Sequence, residues 1–250
     1  MRVAIVSDIH GNLTALEAVI ADLRQVAPDV VLHGGDLTDT GSSPVAVVDR
    51  IHELGWRGVM GNTDEMLFRP ASLVEFAEQA PALKPLLPAI EEMAAGSRDK
   101  LGDERVAWLS ELPRRQICGP IALIHASPES LWRAPAAQAG DDELASVYSP
   151  LGATAAAYGH IHCGFVRRIA RGEGAPELMV ANAGSVGLSY DGDTRAAYLV
   201  LDVTETSIDA TLRRVEYDLE REIRARAVCG LPHAEWIGKT LRSATPQMPG

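Results

Sequence analysis

Seven side chains with metal-binding chemistry are concentrated in five short segments of the sequence. The segments read SDIHGN, HGGD, GNTD, IHASP and YGHIH, and their candidate ligands are Asp8, His10, Asp36, Asn62, His125, His160 and His162. Carboxylate, carboxamide and imidazole groups without a thiolate are typical of Mn, Fe or Zn sites, and not of a calcium cage or an iron–sulfur cluster. The set is too large for one tetrahedral ion, so the sequence predicts two metals that share a bridging carboxylate.

Each of these segments follows or ends an apolar, β-forming run. The runs are Arg2–Val6, Val30–His33, Trp56–Met60, Ile121–His125 and Ala155–Tyr158. Ligands bind at the carboxyl ends of strands in open α/β sheets, so we expect the candidate side chains to converge there. Asp8 and His10 are two residues apart, as are His160 and His162, and in extended backbone such a pair projects to one side. Any one segment also fits ordinary turn chemistry, but its repetition at successive strand ends favours a metal site.

The remaining sequence predicts a single domain over residues 1–250. Strand and helix patterns alternate at the start of the chain, which is typical of a parallel sheet. We expect a helical insertion at about 64–115 and C-terminal helices at about 218–242. The last strand-like runs are closely spaced and predict an antiparallel meander; they are Gly164–Ile169, Glu177–Asn182, Ala196–Val203 and Ser207–Arg214.

Composition and charge narrow the classes of function. The 250 residues are 46% hydrophobic and 23% charged, as in globular proteins. A formal net charge of −11 argues against binding to duplex nucleic acid, which requires a basic surface. The apolar runs are far shorter than the roughly 20 residues of a membrane-spanning helix, and the chain enters its first strand without an apolar leader, so we expect a cytoplasmic protein with no membrane partner. No particular oligomeric state is favoured.

The ordered motifs D-x-H, G-D, G-N, H and G-H-x-H resemble those of the calcineurin-like metallophosphoesterase superfamily. The similarity is greatest to its compact bacterial and archaeal phosphodiesterase branch, which shares the SDIHGN start and an N-x-G-S-V-G turn, here Asn182 to Gly187. This resemblance covers nearly the whole chain. It implies an α/β fold, a four-layer α/β/β/α sandwich of two mixed sheets flanked by helices.

The resemblance also implies a role for each candidate ligand. Asp8, His10 and His162 would hold one metal, Asn62, His125 and His160 would hold the other, and Asp36 would bridge them. A hydroxide that also bridges the metals would attack phosphorus in line. The implied cofactors are two divalent ions, Mn, Fe or Zn, with Mn expected to support activity best. The implied catalytic residues are Asp36, Asn62 and Thr63.

Thr63 departs from the pattern of many superfamily members, which have His after the Asn. A Thr hydroxyl is not a general acid near neutral pH, and general acid catalysis typically contributes about 10²–10⁴-fold. We therefore expect substrates with good leaving groups, such as aryl phosphates or a phosphoanhydride from which a nucleotide leaves. The adjacent Asp64 is interpreted as an N-cap of the next helix, with the orientation of Thr63 or of a histidine as the alternative.

Five further residues are candidates for substrate contact, and each has a structural alternative. Asn12 could place phosphate at a helix start or cap that helix, and His33 could approach substrate or be buried. Three others follow His125 in a predicted loop, where Trp132 could stack a base or simply pack; they are Ser127, Trp132 and Arg133.

The resemblance implies hydrolysis of a small phosphorylated substrate, either a phosphodiester or a phosphomonoester. A dinucleoside-polyphosphate hydrolase and a protein serine/threonine phosphatase are alternatives within the same chemistry. A different class is a non-catalytic scaffold that binds a protein partner, since superfamily members with weakened metal sites can serve in this way. The complete set of candidate ligands favours the enzyme.

Overall fold

The fold was analysed in a computed structural model, which describes residues 1–172 and 176–249. The strands are β1 (Arg2–Val6), β2 (Val30–His33), β3 (Arg57–Gly58), β4 (Arg115–Cys118), β5 (Ile121–Ile124), β6 (Ala155–Tyr158), β7 (Phe165–Ile169), β8 (Leu178–Asn182), β9 (Ala196–Val203) and β10 (Ile208–Val215). The α-helices are α1 (Leu13–Val26), α2 (Pro44–Glu53), α3 (Asn62–Phe68), α4 (Ala71–Gln79), α5 (Leu87–Ser110), α6 (Asp141–Tyr148), α7 (Leu219–Val228) and α8 (Ala234–Ser243). Two short 3₁₀ segments are Pro81–Leu83 and Ser149–Leu151.

The strands form two mixed sheets of five strands each. The first has the order β10-β9-β1-β2-β3, in which β1, β2 and β3 are parallel and β9 and β10 are antiparallel. The second has the order β4-β5-β6-β8-β7, in which β5, β6 and β8 are parallel and both edge strands are antiparallel. The candidate ligands therefore follow parallel strands in both sheets.

Strand β1 shows how the layers are assembled. Its side chains alternate between faces: Ala4 and Val6 pack with α1, α2 and α5, whereas Val3 and Ile5 pack against the second sheet. The outer face of the second sheet is covered by α6. A strand that is buried on both faces reads as a continuous apolar run. The result is the four-layer α/β/β/α sandwich that the sequence motifs led us to expect.

The predicted antiparallel meander is wrong. Strands β7 and β8 pair in the second sheet, but β9 and β10 pair in the first. The chain crosses between sheets through the N-x-G-S-V-G turn, where the N–H groups of Val186 and Gly187 donate to the carbonyls of Ser7 and Asp8. Close spacing in sequence indicated neighbouring strands, but these long-range hydrogen bonds direct the chain to the other sheet.

Some element boundaries also differ from the prediction. The third strand, predicted over Trp56–Met60, contains only Arg57–Gly58, and β4 and α6 were not predicted. The helical insertion begins at Asn62, and its longest helix, α5, is interrupted at Gly102, which has a φ of 71°. Among the residues that the structure describes, no helix is long and apolar enough to cross a membrane.

Candidate metal centre

The candidate ligands meet at one edge of the sandwich, in the loops that follow β1, β2, β3, β5 and β6. The first two loops run side by side, because the N–H groups of Asp8 and His10 donate to the carbonyls of Gly35 and Asp36. Our prediction that alternate ligands share a side through extended backbone is wrong. Five ligands instead have left-handed φ values: Asp8 (56°), His10 (52°), Asp36 (52°), His160 (66°) and His162 (55°). Such conformations are uncommon for residues other than glycine and tend to cluster at functional sites.

One group of ligands consists of Asp8, His10, Asp36 and His162, whose ligand atoms all lie within 4.8 Å of one another. His162 Nε2 is 3.1 Å from Asp8 Oδ1 and 3.1 Å from His10 Nε2. His10 Nε2 lies 3.6 Å from Asp36 Oδ2. All four residues are buried. This compact set of oxygen and nitrogen atoms could hold one metal ion.

A second group surrounds the side-chain oxygen of Asn62. Asn62 Oδ1 lies 2.9 Å from His125 Nε2 and 2.9 Å from His160 Nδ1. His125 Nε2 is in turn 3.5 Å from Asp36 Oδ1, the carboxylate oxygen that does not face His10. Asp36 therefore lies between the two groups and turns one oxygen toward each.

Hydrogen bonds on the outer side of the imidazoles set their lone pairs toward the centre. The Nδ1–H groups of His125 and His162 donate to the carbonyls of Gly34 and Leu188, at 2.8 and 2.5 Å. The Nε2 atom of each ring is then an acceptor that faces the cluster. This is the arrangement in which imidazole binds metals.

The electrostatics of the centre also fit a cation. Burial lowers the pKa of His10 and of His160 to about 3, so both rings are neutral near pH 7. Burial opposes ionisation of Asp8, but in the metal-free protein the positive field of nearby histidines in their protonated forms, His162 above all, outweighs it and holds the pKa of Asp8 below its usual range. Within the described chain, the buried Nδ1 atom of His10 has no hydrogen-bond partner. Carboxylates and neutral imidazoles together form a donor set suited to divalent metals.

Asp64 fixes the position of Asp36, a role that the sequence did not reveal. Its carboxylate accepts hydrogen bonds from the N–H groups of Asp36 at 2.8 Å, Leu37 at 3.0 Å and Gly61 at 3.0 Å. The contact with Gly61 is a capping interaction that an Asp at the third position of α3 could have suggested. The hydrogen bonds to Asp36 and Leu37 join residues that are far apart in the sequence, so no local sequence pattern predicted them. Burial and the nearby Asp36 raise the pKa of Asp64 to about 6.

Thr63 supports the same carboxylate through its backbone. Its N–H donates to Asp36 Oδ1 at 2.9 Å. Its side chain lines a cavity of about 310 Å³ in front of the ligands. The Thr63 hydroxyl makes no hydrogen bond with the residues described. Thr63 occupies the position at which many superfamily members have a His, and its hydroxyl is not a general acid near neutral pH.

Only one of the five candidate substrate-contact residues lies in this cavity. Trp132 lines it, beside Asn62 and His160. Asn12 caps α1 by accepting from the N–H of Ala15 and donates to the Gly187 carbonyl, so its amide serves the fold. His33 is completely buried against Gly58 and Trp108.

The remaining two candidates line other depressions of the surface. Ser127 bonds to the Ser130 carbonyl, and Arg133 bonds to Gln79. Asp39 and Tyr190 are among the cavity residues that the sequence analysis missed. Tyr190 stacks on His162, with ring centroids 4.4 Å apart. Tyr190 lies two residues after Leu188, whose carbonyl accepts a hydrogen bond from His162. The sequence alone could not identify Tyr190 as a cavity residue, because the contact between Leu188 and His162 is visible only in the structure.

A two-sheet α/β sandwich with such a centre at its strand ends has the architecture of a metallophosphoesterase. The family model for the calcineurin-like phosphoesterase superfamily domain matches residues 1–206. The chain therefore belongs to the calcineurin-like phosphoesterase superfamily.

Similar proteins match this chain over almost their full length. An uncharacterized protein of Methanocaldococcus jannaschii, MJ0912, is 28% identical over 254 residues, covering 96% of each chain. The crystal structure of a metallophosphoesterase from Sphaerobacter thermophilus is 26% identical, with a TM-score of 0.78 over 98% of this chain and 99% of that one. The hypothetical protein PH1004 from Pyrococcus horikoshii OT3 is 16% identical and shows the same fold, with a TM-score of 0.80 over 98% of this chain and 99% of that one.

Proposed function

We propose that the protein is a dinuclear metal-dependent phosphoesterase that hydrolyses a small phosphorylated substrate. The observation that carries this proposal is the position of Asp36. One of its carboxylate oxygens is 3.6 Å from His10 Nε2, and the other is 3.5 Å from His125 Nε2. A carboxylate with one oxygen directed at each ligand group is suited to bridge two ions.

Each of the two ligand groups would bind one metal ion. Asp8, His10 and His162 would hold one ion with Asp36, and Asn62, His125 and His160 would hold the other. The proposed ions are Mn, Fe or Zn, which accept this mixture of oxygen and imidazole ligands. When bound, such ions lower the pKa of coordinated water and neutralise charge on a phosphate group.

The cavity residues would orient the phosphate. Asn62 directs its oxygen at the imidazoles of His125 and His160, which leaves its amide N–H₂ group to donate toward a phosphate oxygen. Asn62 and Thr63 both line the cavity. The Thr63 hydroxyl can donate a hydrogen bond but cannot supply a proton to a strongly basic alkoxide. Aryl esters, whose leaving groups need no proton, are the expected assay substrates.

The test is hydrolysis of p-nitrophenyl phosphate and bis(p-nitrophenyl) phosphate after loading with Mn, Fe or Zn. We expect metal-dependent turnover of at least one ester and close to two bound ions per chain by elemental analysis, as implied by two ligand groups. Asp36→Asn and His160→Ala should lose turnover and bound metal while remaining folded.

His52→Ala is the matched control, since it removes an exposed imidazole from α2. It should retain both activity and metal. If the loaded wild-type protein hydrolyses neither ester with any of these metals, the enzyme proposal is wrong. If Asp36→Asn keeps its full metal content, the bridging role is wrong.

A further inference from the structure

The cavity in front of the metal ligands has two chemically different walls. One wall is the ligand cluster itself, together with Asn62 and Thr63. The opposite wall is apolar and comes from the helical insertion and the C-terminal helix: α4 provides Leu73 and Phe76, α5 provides Ile90 and Met93, and α8 provides Ile237. A phosphate bound at the ligands would therefore have its organic group against hydrocarbon.

Aromatic side chains close one side of this apolar wall. Trp132 lies 5.2 Å from Phe76 between ring centroids, at an interplanar angle of 35°. The Trp132 indole N–H donates to Glu65 Oε2 at 2.8 Å, which fixes the orientation of the ring. A fixed aromatic surface favours an aryl or branched alkyl group, because burial of apolar area is its main source of affinity.

The charges around the cavity disfavour a second anionic group on the substrate. Lys and Arg are absent from the described lining, whereas the acidic residue Asp39 is part of it. Arg226 lies behind Asp39, but its guanidinium donates to the backbone carbonyls of Thr40, Leu231 and Pro232. A second phosphate or a carboxylate would lose its hydration there without gaining a cationic partner.

We propose, on the basis of the function proposed above, that the substrate is a phosphate ester whose organic group is apolar and carries no further negative charge. The cavity volume of about 310 Å³ is at the small end of the roughly 300–1,000 Å³ of small-molecule sites. Dinucleoside polyphosphates are disfavoured by their additional phosphates, and sugar phosphates by their many hydroxyl groups.

The test compares three diesters with the same leaving group: methyl, butyl and 3-carboxypropyl p-nitrophenyl phosphate. A common leaving group separates recognition of the organic group from the chemistry. We expect kcat/KM of the butyl ester to exceed that of the methyl ester by at least about tenfold, given its three additional buried methylenes. The 3-carboxypropyl ester should fall below the butyl ester by a similar factor.

Binding gives a second measurement that does not depend on turnover. Calorimetric titration of the Mn-loaded protein should show butylphosphonate binding about tenfold more tightly than methylphosphonate. Equal kcat/KM for the three esters, or equal affinity of the two phosphonates, overturns the apolar assignment and leaves the proposed function intact. Absence of hydrolysis of the three diesters, of p-nitrophenyl phosphate and of bis(p-nitrophenyl) phosphate with every metal refutes the proposed function and the substrate assignment that depends on it. Hydrolysis of p-nitrophenyl phosphate alone keeps the proposed function, and the phosphonate affinities then decide the substrate assignment.

Two variants of the apolar cavity wall test whether its side chains cause the preference for the butyl ester. Phe76→Ser and, independently, Ile90→Ser should each reduce the butyl-to-methyl ratio of kcat/KM by about fivefold. Val74→Ser is the matched control, because Val74 is on the same helix as Phe76, is 39% exposed and does not line the cavity. It should keep the wild-type ratio. An unchanged ratio in both folded wall variants would place the organic group elsewhere.

Discussion

The carboxylate of Asp64 holds the backbone of Asp36, accepting its N–H at 2.8 Å and that of the next residue, Leu37, at 3.0 Å. Asp36 is the residue placed to join the two ligand groups, and its φ of 52° is a conformation that the chain does not adopt without support. Asp64 therefore holds the backbone of the residue that we propose as the bridging ligand.

Asp64→Asn should loosen the centre without removing a ligand. An amide has one acceptor oxygen, so at least one of the three backbone N–H groups would lose its partner. We expect metal affinity to fall by about 10–100-fold and the free energy of unfolding by about 1–3 kcal/mol. Metal titration and denaturant unfolding measure these effects. Asp49→Asn on α2, which alters a part-exposed ion pair with Arg105 on α5, should change metal affinity little. Equal losses in the two variants would contradict the positioning role.

Gly61→Ala should displace the Asp36 carboxylate directly. A Cβ atom at Gly61 would overlap Asp36 Oδ1 and its backbone nitrogen. Because the φ of Gly61 is −100°, the cost comes from this overlap and not from backbone strain. We expect reduced metal content, measured by elemental analysis. Gly140→Ala has open space around its Cβ and a φ of −69°, and should bind metal normally.

Thr63→His should broaden the range of leaving groups. An imidazole at this position would line the cavity and could protonate an alkoxide, a step worth about 10²–10⁴-fold in general acid catalysis. We expect kcat/KM for alkyl leaving groups to rise by at least about tenfold relative to p-nitrophenolate. The measurement is a series of esters with leaving groups of increasing pKa. Thr63→Val provides the comparison, and an unchanged dependence on leaving-group pKa would show that residue 63 does not limit proton transfer.

His33→Leu should reduce the acid sensitivity of the metal-free protein. Burial lowers the pKa of His33 to about 4, from 6.5 in a solvated chain. Below pH 6.5 the unfolded chain gains a proton that the folded protein does not, so this residue destabilises the fold as pH falls toward 4. Between pH 7.5 and 4.5 the wild type should lose roughly 2–3 kcal/mol more unfolding free energy than the variant. Denaturant unfolding in EDTA measures the difference; parallel pH profiles would contradict it.

The sequence predicted the ligand-bearing loops because their cause is local. An apolar run that ends in Asp, His or Asn beside Gly is visible within a few residues, as at Asp8 or His160. The four-layer sandwich was expected because the same motifs resemble those of the calcineurin-like superfamily. The backbone conformation of the loops was not predictable in this way, since the left-handed φ values of Asp8 and His10 depend on hydrogen bonds to the loop after β2.

The features that the sequence did not predict arise from long-range contacts. The hydrogen bond between Asp64 and Asp36 joins residues 28 apart in the sequence. The change of sheet after Asn182 depends on hydrogen bonds to Ser7 and Asp8. The cavity wall combines Phe76, Ile90 and Ile237 from three helices that are far apart in the chain. No periodic pattern within one helix shows which other helix will face it.

The ligands are shared between two sheets whose facing sides pack mainly through apolar side chains. Asp8, Asp36 and Asn62 follow strands of the first sheet, whereas His125, His160 and His162 follow strands of the second. His10 and His162 are neighbours in space but 152 residues apart in sequence. Bound metal would thus act as a cross-link between the two sheets, and the ligand set is complete only when both sheets are in place. Chelation would remove this cross-link and leave the apolar contact between the sheets.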